Sequence, residues 1–366
     1  MKFSINQSEL QKALSTVIKG TSTKSTIPIL SGIYIEAKED SLVFQATNLD
    51  LSIQYQTAAL IEEPGKTVLP GKLISDIVKN MNEAAVHVTV NEDGAALVCD
   101  SSSFMIRTLD ANDFPLFPEV EVQQQISVPF DLFSSMIKKV SRAASKDESK
   151  PALTGIYVTL ENGMLNMVTT DSYRLAVASS PVTNTEADNF QAIISSEFMA
   201  DIASLPKTDD ILTLAFNENQ IVVTYQETVF INRKIEGTYP AYKRIIPSSY
   251  ATRIGVSRSQ LISAVRRAGL MGNNGMSVKF EIDVPSHTLQ ISSTQDNGSL
   301  KETLSFEGEG ESESLEIGFN CAYVIDGLSS IDEDKVFLEV TSASKAGIFK
   351  TEGESSFLYL VMPMRV

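Results

Sequence analysis

A chain of 366 residues exceeds what one ordinary core supports, and with 43% hydrophobic and 21% charged residues it reads as two or three globular domains without a disorder signature. Its 46 acidic residues against 30 basic ones leave a net charge of −16, which taken alone argues against nucleic acid and anionic membrane surfaces as partners. Two cysteines (Cys99, Cys321), two distant histidines (His87, His287) and no long apolar window exclude a disulfide framework, a multi-cysteine zinc site, HExxH chemistry and a membrane span, so a soluble cytoplasmic protein without metal or cofactor is expected.

Met1 to Leu14 hold no apolar signal core and are expected to belong to folded protein. Leu10, Leu14, Val17 and Ile18 recur at helical spacing behind Ser8, a candidate cap, and before Gly20. Strand patterns follow at Gly32-Ile33-Tyr34-Ile35 and Leu42 to Thr47, then a second helix at Lys72 to Met81 and a closing strand beginning at Phe104. The same order returns in a second copy. A helix on Leu132, Phe133, Met136, Ile137 and Val140 leads to Gly155-Ile156-Tyr157-Val158, Leu165 to Thr170, a helix at Glu197 to Leu205 and a closing strand from Phe230. A weaker third copy runs through Leu261, Ile262 and Val265, Ser277 to Phe280, Leu289 to Thr294, Ala322 to Ile331 and Phe357. Short β-rich runs such as Leu212 to Phe216 and Ile221 to Tyr225 join through turn residues, here Asn217-Glu218-Asn219. Each copy therefore reads as α+β, two helices on antiparallel sheet, in domains 1–124, 125–247 and 248–366 with linkers at Gln123-Gln124-Gln125 and Pro247-Ser248-Ser249. Long strands leave edges, and repeated domains could pair edge to edge and close on themselves.

The basic minority is not evenly spread. The first-helix windows 8–19, 131–146 and 258–267 hold nine basic residues against two acidic ones. Lys139, Arg142 and Lys146 fall at i, i+3 and i+7, which predicts one basic stripe on a helix. For a single helix a solvated face accounts for this, but threefold recurrence points to sparse phosphate contacts that read no base.

No catalytic arrangement is found. Gly20 to Thr26 lacks the glycine before Lys24 that a phosphate loop needs and follows a helix instead of opening one. Thr170-Asp171-Ser172-Tyr173-Arg174 holds polar groups, yet no GxSxG or nearby histidine accompanies them, and Thr47-Asn48-Leu49-Asp50 is its counterpart, so a turn common to the copies is the simpler account. The end of the chain, Phe357 to Val366, is nearly continuously apolar, and Met362-Pro363-Met364-Arg365 extends beyond the strand pattern. Methionines there suit a surface that accepts varied apolar partners.

Several of these segments together resemble the bacterial DNA polymerase III β subunit family, the replication sliding clamps. The likeness runs the full length through Met1-Lys2-Phe3, Pro28-Ile29-Leu30, Asp113-Phe114-Pro115, Thr170 to Ala176, Gly237 to Pro240 with Tyr242 and Ile246-Pro247, Ile317 to Asn320 and Val361 to Arg365. The resemblance implies three domains of the DNA clamp fold, closing as a head-to-tail homodimer into a ring of six around duplex DNA, with Leu270 and Met271 against Phe104 and Ile106 of the neighbour and Lys72 and Arg107 opposite acids such as Glu302. It implies a non-catalytic processivity factor that tethers the replicative DNA polymerase catalytic subunit, and shares a peptide groove with the clamp loader and repair factors. Carried over by position, that groove comprises Leu153, Thr170, Ser172, Tyr173, Arg174, Leu175, Pro240, Arg244, Ile245, Asn320, Tyr323, Leu360, Met362, Pro363, Met364 and Arg365. DNA contact falls to Lys12, Lys24 and Lys72; a basic pair of the second domain aligns with Ser196 and Glu197, and Lys139, Arg142 and Lys146 are the substitutes. Ser172 stands where a glycine is common, Tyr173 where some members carry histidine, and Gly275 where some carry a phenylalanine, which narrows the groove's mouth and removes bulk from its lining.

Overall fold

The computed structural model describes every residue except 23–24, 183–188, 272–276, 296–297, 353–356 and 366. Lys24 and Gly275 therefore lie outside the described residues. The chain forms two compact units, Met1–Pro129 with Asp210–Arg233, and Phe130–Asp209 with Lys234–Val366, so the middle copy of the repeat is shared between them.

In the first unit a five-stranded sheet runs Leu60–Glu63, Lys2–Asn6, Ala85–Asn91, Gly94–Cys99 and Ser102–Ile106, and Ser102–Ile106 is left as an edge. Its eight-stranded sheet joins two copies. Leu51–Ala58 of the first copy pairs with Thr228–Arg233, the closing strand of the second, with Ile53 opposite Phe230. The helix Gln7–Val17 buries Leu10, Leu14 and Val17, while Gly71–Lys79 buries Ile74 and Val78. Buried Gln7 donates from Nε2 to the Val78 carbonyl at 2.7 Å and ties the two helices together.

The second unit repeats the plan. A nine-stranded sheet joins Arg174–Pro181 of the second copy to Phe357–Val361 of the third, with Ala176 opposite Tyr359. A four-stranded sheet ends on Gly298–Ser305 as an edge. Helices Phe130–Val140, Ser196–Ala203, Arg258–Met271 and Cys321–Leu328 lay apolar faces on these sheets; Ser195 and Asn320 cap two of them by accepting from Phe198 N and Tyr323 N. All pairings between the described strands are antiparallel, as the hairpin-rich sequence predicts.

Three expectations change. Ser8 does not cap the first helix: the strand Lys2–Asn6 runs straight into it, Asn6 holds the cap position without a side-chain bond, and Ser8 is inside the first turn. The basic stripe is not helical throughout. The helix stops at Val140, Ser141–Ala143 tighten into a 3-10 turn, and Ala144 is extended, which puts Lys146 beyond the helix and breaks the i, i+3, i+7 face. The closing strands also align differently. Ladder register makes Phe230 equivalent to Tyr359, not Phe357, a two-residue shift that leaves every side chain on its own face and so is invisible to sequence alternation.

Candidate partner-binding site

The sixteen groove residues named from sequence all lie in the second unit and gather at the joint between Arg174–Pro181 and Phe357–Val361. The turn before that joint is built locally. Thr170, buried, accepts from Ser172 N at 3.1 Å and donates to the Arg174 carbonyl at 2.6 Å, while Asp171 Oδ1 accepts from the backbone of Tyr173 and Arg174, each at 3.0 Å. This throws Ser172 into the left-handed region at φ 79°, which accounts for glycine being suited to the position. Tyr173 is left 63% exposed.

The chain's end closes onto this turn. Met362 N donates to the Tyr173 carbonyl at 2.8 Å, and Met364 N donates to Gly318 O at 2.8 Å, so Met362-Pro363-Met364 spans from the turn to the strand that leads into the helix Cys321–Leu328. The floor is a buried cluster that includes Leu153, Leu175, Leu360, Tyr239 and Tyr242, with Tyr157 stacked on Tyr239 at 4.7 Å between centroids. Above it, Tyr173, Ile245, Met362 and Met364 remain exposed apolar side chains, an unusual concentration at one locus. Pro240 and Arg244 are exposed on the segment that carries Tyr242, and Arg365 is exposed at the far side of the methionines.

Arg174 stands apart. Its side chain is nearly buried, its Nε donates to Asp171 Oδ2 at 3.0 Å, and its Nη1 donates to Asp326 Oδ2 at 2.6 Å and to the Tyr359 hydroxyl at 3.3 Å. The guanidinium also lies 4.4 Å from the Tyr323 ring centroid. Burial works against the charge, but Tyr359, Asp326 and Asp171 outweigh it and raise the Arg174 pKa, so the cation persists. Burial likewise raises the Tyr359 phenol far above its ordinary range and keeps it neutral; that hydroxyl donates to the Tyr323 carbonyl at 2.9 Å. Asn320 Oδ1 accepts from Tyr323 N as a helix cap, which fixes the side chain and leaves its amide nitrogen to donate to a ligand.

Sequence reasoning missed the supports. Asp326, Tyr359, Tyr239, Ile235 and Ile246 underpin the site, and the only signal for Asp326, a lone acid on a predicted helix, was indistinguishable from a solvated charge.

The DNA candidates are divided between the two units. Lys12 lies in the first unit with its Nζ 5.9 Å from the Tyr55 ring centroid, and Lys72 is exposed at the start of Gly71–Lys79. In the second unit Lys139 lies over Phe357 at 6.0 Å, Arg142 approaches Asp326 Oδ1 at 3.7 Å and Lys146 is exposed. Of the residues expected at a subunit contact, Leu270 is 81% and Phe104 37% exposed, but Ile106, on the same strand face as Phe104, is buried at 2% within its own chain. Glu302 is already paired with Arg267, Oε2 accepting from Nε at 2.9 Å.

Among the described residues no cluster of three metal-ligating side chains occurs, and no helix is long and apolar enough to cross a membrane.

The comparisons with known proteins agree over the whole chain. Residues 1–118, 127–241 and 243–365 match the N-terminal, central and C-terminal domains of the DNA polymerase III beta subunit. The beta sliding clamp of Synechocystis sp. is 30% identical over 392 aligned residues that cover all of both chains, and that of Bacillus subtilis is 27% identical over 377, again all of both. Among solved structures, the DNA polymerase sliding clamp from Bacillus subtilis superposes with TM-score 0.94 at 27% identity, covering 100% of this chain and 99% of that one. A sliding clamp from Pseudomonas aeruginosa bound to griselimycin gives 0.94 at 25% identity with full coverage of both.

Proposed function

Since the chain belongs to the DNA polymerase III beta subunit family, the beta sliding clamps, and is a non-catalytic processivity subunit of DNA replication, we propose that two copies join head to tail into a ring that threads duplex DNA and carries one partner-peptide groove per subunit. The three domains are drawn at 1–124, 125–247 and 248–366. One observation carries the ring: the chain uses the same strand joint twice, at Leu51–Ala58 with Thr228–Arg233 and at Arg174–Pro181 with Phe357–Val361, and among the described residues leaves one strand of each kind as a sheet edge, paired on one side alone. Gly298–Ser305 is the third copy's counterpart of Leu51–Ala58, and Ser102–Ile106 is the first copy's counterpart of Thr228–Arg233. Pairing them between copies satisfies both edges and repeats the joint.

Carrying over the register of the in-chain joint sets Leu300 opposite Phe104 and Glu302 opposite Ser102. This revises the expected contact: Phe104 keeps its role beside Leu270 and Met271, whereas Ile106 is buried in its own chain, and the carried-over register gives the backbone hydrogen bonds to Ser103 and Met105. A closed ring makes tight phosphate binding unnecessary, so Lys12, Lys24, Lys72, Lys139, Arg142 and Lys146 act as weak, sequence-independent contacts and the acidic remainder of the surface disfavours DNA elsewhere.

The groove takes short peptides from the replicative polymerase catalytic subunit, the clamp loader and repair factors. Tyr173, Ile245, Met362 and Met364 receive apolar anchors over the buried floor of Leu153, Leu175 and Leu360, and Arg174, Arg244, Arg365 and Asn320 offer polar contacts. Such a clamp works in the cytoplasm, where bacterial replication takes place.

The test is topological. Ser102→Cys with Glu302→Cys places two thiols at a position equivalent to a non-hydrogen-bonded pair, where side chains lie closest, and the native Cys99 and Cys321 are buried and do not compete. Oxidation is expected to yield a covalent dimer carrying two bridges. Loaded by clamp loader and ATP onto nicked circular DNA before oxidation, the ring should remain on circles and leave once the DNA is linearised. Retention on open-ended DNA would instead favour an acidic scaffold that binds without threading.

A further inference from the structure

The first copy supplies an internal control for the turn beneath the groove. Thr47 accepts from Leu49 N at 3.0 Å, and Asn48 Oδ1 accepts from Asp50 N at 3.0 Å and Leu51 N at 2.8 Å. Leu49 has φ 79°, the value found at Ser172. The two turns share one backbone design, yet Asn48 stands where the second has Asp171, and Leu51 stands where it has Arg174. The turn therefore forms without a carboxylate and without an arginine. Stability does not explain the ionic version either, since well-packed apolar side chains generally serve a buried position at least as well as an ion pair.

What the ionic version achieves is orientation. Nε is held by Asp171, Nη1 by Asp326 and Tyr359, and one face by the Tyr323 ring, which leaves Nη2 without a described partner at the turn that Met362 closes. Asp171 belongs to the turn itself. Asp326, 152 residues away, is the partner that pins the guanidinium from the third copy, and its other oxygen faces Arg142 at 3.7 Å.

We propose that Asp326 is a positioning residue of the peptide groove: it fixes the Arg174 guanidinium so that Nη2 is presented to a backbone carbonyl or acidic group of the bound peptide. The proposal rests on the groove reading given above. A preorganised charged donor of this kind adds affinity because its orientation is set before the ligand arrives.

The experiment is calorimetric titration of the intact ring with the host's replicative polymerase catalytic subunit, with griselimycin as competitor. Asp326→Asn, which keeps a hydrogen-bond acceptor and removes the charge, is expected to weaken binding by about tenfold, with Asp326→Glu recovering part of it. In an Arg174→Leu background, which gives the second turn the leucine that the first carries at Leu51, Asp326→Asn should add no further loss. Unchanged affinity in the single variant, or an undiminished further loss in the Arg174→Leu background, overturns the proposal. Should Asp326→Asn fail to form rings, Tyr359→Phe carries the test, with several-fold weaker binding expected and unchanged binding decisive against. Met362→Ala with Met364→Ala separates the two readings: if it leaves affinity intact, the groove itself is misplaced; if it weakens binding and the Asp326 variants do not, only the positioning role falls.

Discussion

Two joints in one chain, at Thr47–Leu51 and at Thr170–Arg174, share the same hydrogen-bonded turn and the same incoming antiparallel strand, but have different surfaces. At the first, the Asp50 carbonyl accepts from Arg233 N at 3.1 Å; at the second, the Tyr173 carbonyl accepts from Met362 N at 2.8 Å. Asp50 answers to Tyr173, Leu51 to Arg174 and Arg233 to Met362, so polar side chains line one joint where apolar ones line the other, while the buried position is leucine at the first and arginine at the second. The backbone hosts either surface. A handful of side chains decides which joint becomes a partner site, and the same fold can be repeated without repeating the function.

The largest expected effect comes from forcing the second chemistry onto the first joint. Leu51 is 8% exposed, and Leu51→Arg would bury a cation opposite Asn48 with no carboxylate to meet it. Urea unfolding is expected to show a loss of about 3–5 kcal/mol, partly recovered by adding Asn48→Asp. A loss below about 1 kcal/mol would mean that the first joint opens enough to hydrate the guanidinium, and that the two joints are less alike in packing than their hydrogen bonds imply.

The reverse exchange is milder. Arg174→Leu removes the cation and leaves Asp171 and Asp326 facing each other, but the Asp326 side chain is about one-third exposed and water can take up part of the charge. A loss of roughly 2–3 kcal/mol in the same measurement is expected, with the dimer mass unchanged. Next in size, Met362→Ala with Met364→Ala is expected to weaken peptide binding about tenfold, as two half-exposed apolar contacts are lost, with no change in ring formation measured by solution mass. Ring loss in that variant would show that the chain's end serves the subunit contact instead of the groove.

The parts that were legible in sequence are those set by local periodicity. Alternation in Gly32 to Lys38, Gly155 to Glu161 and Ser277 to Asp283 places three equivalent strands, and helical spacing at Leu10, Leu14 and Val17 finds a core-facing helix. The turn at Thr170–Arg174 was also readable, because Thr47–Asp50 repeats its side-chain grammar. Three things were not. A helix gives way to a 3-10 turn after Val140 although Ser141, Arg142 and Ala143 carry no strong breaker; the closing strands slip by two residues without disturbing alternation; and Asp326 meets Arg174 only because the tertiary fold brings two copies together. Each depends on packing between segments far apart in the chain, which pattern alone does not encode.

The smallest effect tests whether the shared turn is strained in both joints. Ser172 and Leu49 both adopt φ 79°, a region that costs a non-glycine residue about 1–2 kcal/mol, and no Cβ-bearing side chain gains from being there. Glycine would relieve that cost while adding freedom to the unfolded chain, so the two terms partly offset. Ser172→Gly is expected to raise stability by about 0.5–1 kcal/mol in urea unfolding, because Ser172 is exposed and its side chain makes no described hydrogen bond. Leu49→Gly should gain less, since it also removes apolar contact made by a side chain that is 57% exposed and therefore partly covered. A loss at Ser172 would place the strain elsewhere and break the equivalence of the two turns.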